Sequence, residues 1–154
     1  MEQAKNLGVK DYPNPSGGCL LTDPRFAERL REHLKYEKKL TIEDVALLKV
    51  GRHFRVDTTK VIVGRNEKEN NTLLAISKSK GKPYLEAADH NGPITLYMGE
   101  EKLDLIEKAA AITVRYSDAP KDASVRVIYK DRTKRSIEIE AIAIKDEELE
   151  NLRI

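Results

Sequence analysis

Apolar residues recur at helical spacing in some stretches of the chain and alternate at strand spacing in others, with turn residues between them. Asp23 offers a helix N-cap and Pro24 a first helical position, and Phe26, Leu30 and Leu34 follow on one face to about Tyr36. Thr41 caps a second, shorter helix carrying Ile42, Val45 and Leu48, which ends near Gly51. HFRV, the polar turn Asp57-Thr58-Thr59 and KVIVG then read as a β-hairpin closed by Gly64. Asn66 with Glu69 three positions on has the form of a capping box, and it opens a helix through Leu73, Leu74 and Ile76. PYLEA and ITLYM read as strands around the turn Asp89-His90-Asn91-Gly92-Pro93. The spacing of Leu103, Ile106, Ala110 and Val114 predicts a helix from about Glu101 to Arg115. Val125, Val127 and Tyr129 alternate against Ile137, Ile139 and Ala141 across the turn KDRTKR, the plainest hairpin of the chain. The tail KDEELENLRI predicts a short, frayed helix.

Helices and hairpins in this irregular order predict an α+β fold: antiparallel β-hairpins with helices packed on one face of the sheet, preceded by an N-terminal helical appendage. Residues 2–7 read as a helix end capped by Gly8, and DYPNPSGGC excludes helix and central strand. The expected organisation is a linker and helix over residues 1–40, one domain over 41–144 and an acidic tail over 145–154. A length of 154 residues suits one such domain with an appendage.

Composition narrows the function classes. Apolar residues make up 40% and charged residues 35%, which excludes wholesale disorder. No run approaches the roughly 20 apolar residues of a membrane span, and MEQAKNLGVK lacks the apolar centre of a signal peptide, so a cytoplasmic protein is expected. The single Cys19 forms no internal disulfide, and one Cys with three His at unrelated spacings predicts no metal site.

A net charge of +2 is too small to announce a nucleic-acid binder, so the distribution of the 28 Lys and Arg decides. Lys49, Arg52, His53, Arg55, Lys60 and Arg65 gather around the first hairpin with Asp57 the one acid among them. The last hairpin adds Arg126, Lys130, Arg132, Lys134 and Arg135, with Tyr129 as a candidate stacking face. The competing reading is a solvated charged surface with Arg126 paired across the strands to Glu138 or Glu140. His90 and Asn91 suit either a ligand contact or the turn itself.

Catalytic machinery is not visible. Ser16-Gly17-Gly18 is similar to the pyrophosphate-gripping loop of ATP pyrophosphatases, but Leu20 and Leu21 stand where that loop needs Asp and Ser. No Walker loop, dinucleotide fingerprint or Ser-His-Asp set can be assembled, so no cofactor is expected in this chain and it is not expected to be catalytic alone. Cys19 has two readings: a buried, inert hydrophobe beside Leu20 and Leu21, or a thiolate nucleophile whose pKa the following helix N-terminus lowers.

From about Asp44 to Ile142 the stretches VALLKVGRHFRV, KVIVGRNEKENNTLL, YLEAADHNGPITLYMG and IEKAAAITVRYSDA resemble the NFACT RNA-binding domain. The variant they resemble is the one at the C-terminus of bacterial thiouridylase-like tRNA thiolation enzymes. Gly64, Arg65, Asn70 and Leu73 match its most specific motif, a strand-to-helix turn suited to phosphate or backbone contacts. Tyr84 and Glu86 stand where ribosome-quality-control members carry Trp and His, so stacking can pass to Tyr84. The segment DYPNPSGGCLLTDPRFAERLREHL looks like the linker of the same enzymes and, more distantly, like a part of tRNA 2-thiouridine synthases whose Cys carries sulfur as a persulfide.

The resemblance implies an RNA-binding module, with tRNA or another structured RNA as partner. Contacts are expected from the two basic clusters together with Asn70 and Tyr84. It also implies ATP bound by an N-terminal pyrophosphatase-type domain, or by a separate subunit, since the chain begins where that half would end. One alternative is a sulfur-transfer component using Cys19 with such a partner. Another is a ribosome-associated protein-interaction module.

Overall fold

The computed structural model describes residues 23–131, 133 and 135–154. The chain divides into two units at the Leu40–Thr41 boundary. In the first, helix α1 (Pro24–Tyr36) is capped by Asp23, whose carboxylate accepts the Arg25 N–H at 3.0 Å. Its buried residues are Phe26, Arg29 and His33, so the inward face is turned from the expected Phe26, Leu30 and Leu34, and Leu34 is exposed. His33 Nε2 lies 3.1 Å from the Lys39 carbonyl, which gives a buried ring nitrogen a partner.

The second unit begins with α2 (Ile42–Leu48), held by a full capping box: Thr41 Oγ1 accepts from Asp44 N, and Asp44 Oδ2 accepts from Thr41 N. Strands β1 (Arg52–Val56) and β2 (Thr59–Val63) form a hairpin, with Asp57 at φ 55°, a left-handed position that Asp tolerates better than most residues. Helix α3 (Glu67–Lys80) follows, then β3 (Tyr84–Ala87), β4 (Thr95–Met98) and helix α4 (Leu103–Arg115). The hairpin β5 (Val125–Lys130) and β6 (Ser136–Ala141) and the short α5 (Asp146–Leu152) end the chain. The six strands form one antiparallel sheet in the order β1-β2-β4-β3-β5-β6. The fold class is therefore α+β with an N-terminal helix ahead of the sheet.

Helices lie on both faces of this sheet, whereas the sequence pattern predicts one covered face. Every residue of β2 is buried: Val61 and Val63 join the core beneath α4, while Ile62 points the other way, toward Leu73 and Ile76 of α3. An uninterrupted VIV run, unlike strict alternation, marks a strand covered on both sides. Alanines 109 and 110, both fully buried, let α4 approach the sheet closely, and the Thr113 hydroxyl sits 2.7 Å from that of Thr95.

Residues 145–154, expected as an acidic tail, pack against the sheet edge and the α4-side core. Leu149 is buried in the α4-side core, Ile154 N donates to His53 O at 3.0 Å, and Arg153 bridges to Phe54 along the free edge of β1. The acidic residues of α5 face outward around one buried Leu, the short amphipathic helix that the tail predicts. Among the described residues no helix is long and apolar enough to cross a membrane.

Candidate nucleic-acid interface

The β2–α3 turn is built from Gly64, Arg65, Asn66, Glu69 and Asn70. Asn66 caps α3 by accepting the Glu69 N–H at 2.9 Å. Glu69 returns to Arg65 twice, accepting its backbone N–H at 2.9 Å and its guanidinium through both carboxylate oxygens, at 2.9 and 2.6 Å. This forked pair, with the Arg65 guanidinium as the largest influence, lowers the Glu69 carboxyl from 4.5 to about 2. The Arg65 side chain is 39% exposed, so its charge reaches solvent while its fork is committed to Glu69. Asn70 Oδ1 accepts the Ile94 N–H at 3.1 Å, and Gly64 N donates to Ile94 O at 3.0 Å. A Cβ on Gly64 would lie 2.0 Å from Asn70 Oδ1, so a larger residue there must displace the Asn70 side chain from its bond to Ile94 N.

The first-hairpin cluster is not one surface. Strand alternation places Arg52 with Phe54 on the α4 side and Arg55 with His53 on the other, since an odd spacing reverses the face. The Arg52 guanidinium sits 4.5 Å from the centroid of Tyr116, and Arg55 Nη1 donates to Thr58 O at 3.1 Å. Lys49, the C-cap of α2, is exposed, but Lys60 is buried. His53 is 1% exposed, and its Nε2 lies 3.0 Å from Leu47 O and 2.9 Å from Val50 O. The imidazole thus ties α2 to β1 and does not face solvent, contrary to its expected place at an RNA surface. Its flanking Arg residues and its strand position disguise a core histidine as part of a basic cluster.

Tyr129 is likewise withdrawn. It is 1% exposed, packs edge-on against Tyr97 at 5.8 Å between centroids, and donates its hydroxyl to Glu101. Burial is the chief reason its phenol is pushed far above the ordinary tyrosine range. Arg126 is paired with Asp89 at 2.9 Å and with Glu138 at 3.2 Å, which bears out the cross-strand pairing with Glu138 and adds a partner from the β3–β4 turn. His90 and Asn91 make that turn, the Asn91 carbonyl accepting from Asp118 N.

Tyr84 and Lys130 are brought together. They are register partners in β3 and β5, so their side chains stand side by side on the sheet face that α4 does not cover. Leu74, Ser77, Lys78 and Gly81, spaced along one face of α3, form the opposite wall of a groove of about 330 Å3 that Lys82 and Asp131 complete. Gly81 at φ 64° ends α3, and both its N–H and that of Lys82 reach Ser77 O. Ser77 Oγ donates to Lys82 O at 2.5 Å, so the helix end that carries Lys82 is fixed. Among the described residues Lys78, Lys82 and Lys130 form no ion pair, whereas Lys80 is held by Asp44 at 3.2 Å and Glu43 at 3.9 Å.

Asp131 Oδ1 accepts from Thr133 N, Thr133 Oγ1 and Arg135 N, which locks the last hairpin turn and, through the Thr133 hydroxyl first, lowers the carboxyl. Arg135 is exposed beside it. Arg132, Lys134 and Cys19 lie outside the described residues. Lys78 and Lys82 were not among the sequence-derived candidates. Their signal is the run SKSKGKPY, three lysines at alternate positions leading straight to Tyr84.

Comparison with known proteins bears on this arrangement. The curated proteins contain no match. Among solved structures the chain is similar to the C-terminal part of the fibronectin/fibrinogen-binding protein of Streptococcus suis, with a TM-score of 0.59 at 16% identity. The similarity covers 90% of this chain and 63% of that one, and at such identity it shows a shared fold alone. The family model of the NFACT protein RNA binding domain matches residues 51–153, from the start of the first hairpin to the strand-edge Arg153. The chain therefore belongs to the NFACT protein RNA binding domain family.

Proposed function

We propose that this chain binds RNA, with tRNA as its ligand, through the side of the sheet where α3 meets β3 and β5. The observation that carries this reading is the set Lys78, Lys82 and Lys130, three cations without acidic partners among the described residues, grouped around the half-buried Tyr84. Phosphate contacts dominate RNA affinity and ask for such uncommitted charge, whereas Arg126, Lys80 and Arg65 are already paired. Lys49 and Arg135, both exposed, extend the positive surface at the margins.

Within this reading the module serves a thiouridylase-like tRNA thiolation enzyme, whose ATP-pyrophosphatase half would do the adenylation. That setting is supported by the sequence resemblance of residues 11–34 and of the strand-to-helix motif alone, as is a sulfur-carrying role for Cys19.

The test is tRNA binding across a salt series, comparing the wild type with a Lys78→Ala, Lys82→Ala, Lys130→Ala triple variant. Three phosphate contacts give a slope of log K against log salt of about −2 to −3, at roughly −0.7 to −0.9 per contact. The triple variant is expected to bind more weakly and with a flatter slope. An unchanged slope would show that these lysines are a solvated surface.

A further inference from the structure

The groove between α3 and the sheet has features that a purely electrostatic surface does not need. Its walls are unlike: lysines at the rim, and the side chains of Leu74 and Tyr84 between them. Its volume of about 330 Å3 is at the lower end of the range for small-molecule clefts, about 300 Å3. Leu74 and Tyr84 both pack on the α3-side core with their outer parts left to the groove, so an apolar and an aromatic surface meet solvent there. The chain holds no Trp and 2 Phe; Phe54, Tyr97 and Tyr129 are within 1% of full burial and Phe26 is also buried, which leaves Tyr36, Tyr84 and Tyr116 as the described aromatics with surface in solvent. Of these, Tyr84 lies among three lysines without ion pairs among the described residues.

An A-form duplex cannot use such a place. Its base faces are stacked inside the helix, and what it presents across the shallow groove is ribose hydroxyl and phosphate. An unpaired nucleotide offers what the groove lacks: a π-face for Tyr84 and Leu74, and phosphates on either side for the lysines. Lys130, opposite Tyr84 in the β3–β5 register, and Lys82, two residues before it, line the same groove as the ring. Asp131, also at the groove, has its Oδ1 engaged by the hairpin turn and does not cancel the charge of all three lysines.

We infer that the groove between α3, β3 and β5 seats one unpaired nucleotide, its base against Tyr84 and its flanking phosphates on Lys78, Lys82 and Lys130, so that the protein selects single-stranded over duplex RNA. This deepens the proposed RNA binding and rests on it. The substrate class is thus a loop, bulge or end of an RNA, and not the continuous stem.

The absence of tryptophan supplies the probe. Tyr84→Trp creates a single tryptophan in the full chain, and its emission is expected to be quenched on adding a short oligoadenylate or oligouridylate, and left unchanged by a blunt RNA duplex. Tyr84→Leu keeps apolar volume in the half-buried site but removes the π-face, and it is expected to weaken oligoadenylate binding about 5- to 150-fold. Tyr84→Phe is expected to bind as the wild type does, which separates stacking from a folding defect. If the wild type binds tRNA while the emission of the Tyr84→Trp variant is unmoved and Tyr84→Leu binds unchanged, the nucleotide seat is wrong and the RNA-binding reading stands. Equal affinity for duplex and oligoadenylate would also overturn the selection. If neither tRNA nor any oligonucleotide binds, the RNA-binding reading itself fails.

Discussion

Asn70 Oδ1 takes the backbone N–H of Ile94 at 3.1 Å, so a helix side chain completes the pairing that Gly64 begins from β2 through its own bond to Ile94 O. The turn from Gly64 to Asn70 is thereby a joint between α3 and two central strands. Phosphate contact is not needed to explain its Gly and Asn.

Asn70→Ala leaves the Ile94 N–H without its acceptor and is expected to cost about 1–3 kcal/mol in urea denaturation. Gly64→Ala places a Cβ 2.0 Å from Asn70 Oδ1 and is expected to cost about 1–3 kcal/mol by overpacking. The two losses share one contact, so the double variant should be more stable than their sum by at least about 0.5 kcal/mol. Strict additivity would show that the clash is relieved elsewhere.

Glu69 gives a pH dependence of defined sign. Its carboxyl is held at about 2 in the folded chain against an ordinary 4.5, chiefly by the Arg65 guanidinium. A depressed carboxylate contributes stability that is fully present above pH 4.5 and lost as the pH falls toward 2. Because Arg65 lies partly in water, the contribution is about 1 kcal/mol. Glu69→Gln should therefore be less stable than the wild type at neutral pH and converge with it near pH 2. A constant difference across that window would assign the effect to packing.

Much of the fold is legible in the sequence because each helix start and hairpin has a local physical cause. Thr41, Asn66 and Pro24 mark helix starts, and the alternation of Val125, Val127 and Tyr129 marks a strand. The placement of α3 and α5 was not legible, since it depends on which face of the sheet has apolar surface left to cover. In the candidate site, Lys49 to Arg65 are near in sequence, yet strand alternation and burial place them on different faces. Lys78, Lys82 and Tyr84 are near one another in the chain, and Lys130 joins them only through the β3–β5 pairing, a contact across 46 positions that no local pattern announces.

His53 separates a core histidine from an RNA contact. His53→Leu leaves the Leu47 and Val50 carbonyls without the imidazole N–H and is expected to cost about 1–3 kcal/mol of stability. The salt slope of tRNA binding should not change. A slope flattened by about 0.7–0.9 in a variant that is still folded would return His53 to the interface.

The hairpin arginines give the sharpest test of which face meets RNA. Arg52 and Arg55 lie three positions apart in β1, hence on opposite faces, and a single flat RNA surface cannot engage both. Arg52 covers the Tyr116 ring at 4.5 Å, so Arg52→Ala should cost about 0.5–1 kcal/mol of stability through the lost cation–π contact, with tRNA affinity unchanged. Arg55 shares its face with α2 and α3, the same side of the sheet as Tyr84, and Arg55→Ala should lower affinity only if the RNA extends from the groove past β2 and β4 to the sheet edge. The measurement is the salt slope of each single variant beside that of Lys130→Ala. A flatter slope in Lys130→Ala alone confines the RNA to the groove. A flatter slope in Lys130→Ala and Arg55→Ala extends it along one face. A flatter slope in Arg52→Ala, with Lys130→Ala unaffected, would move the interface to the α4 side and remove the groove from the account.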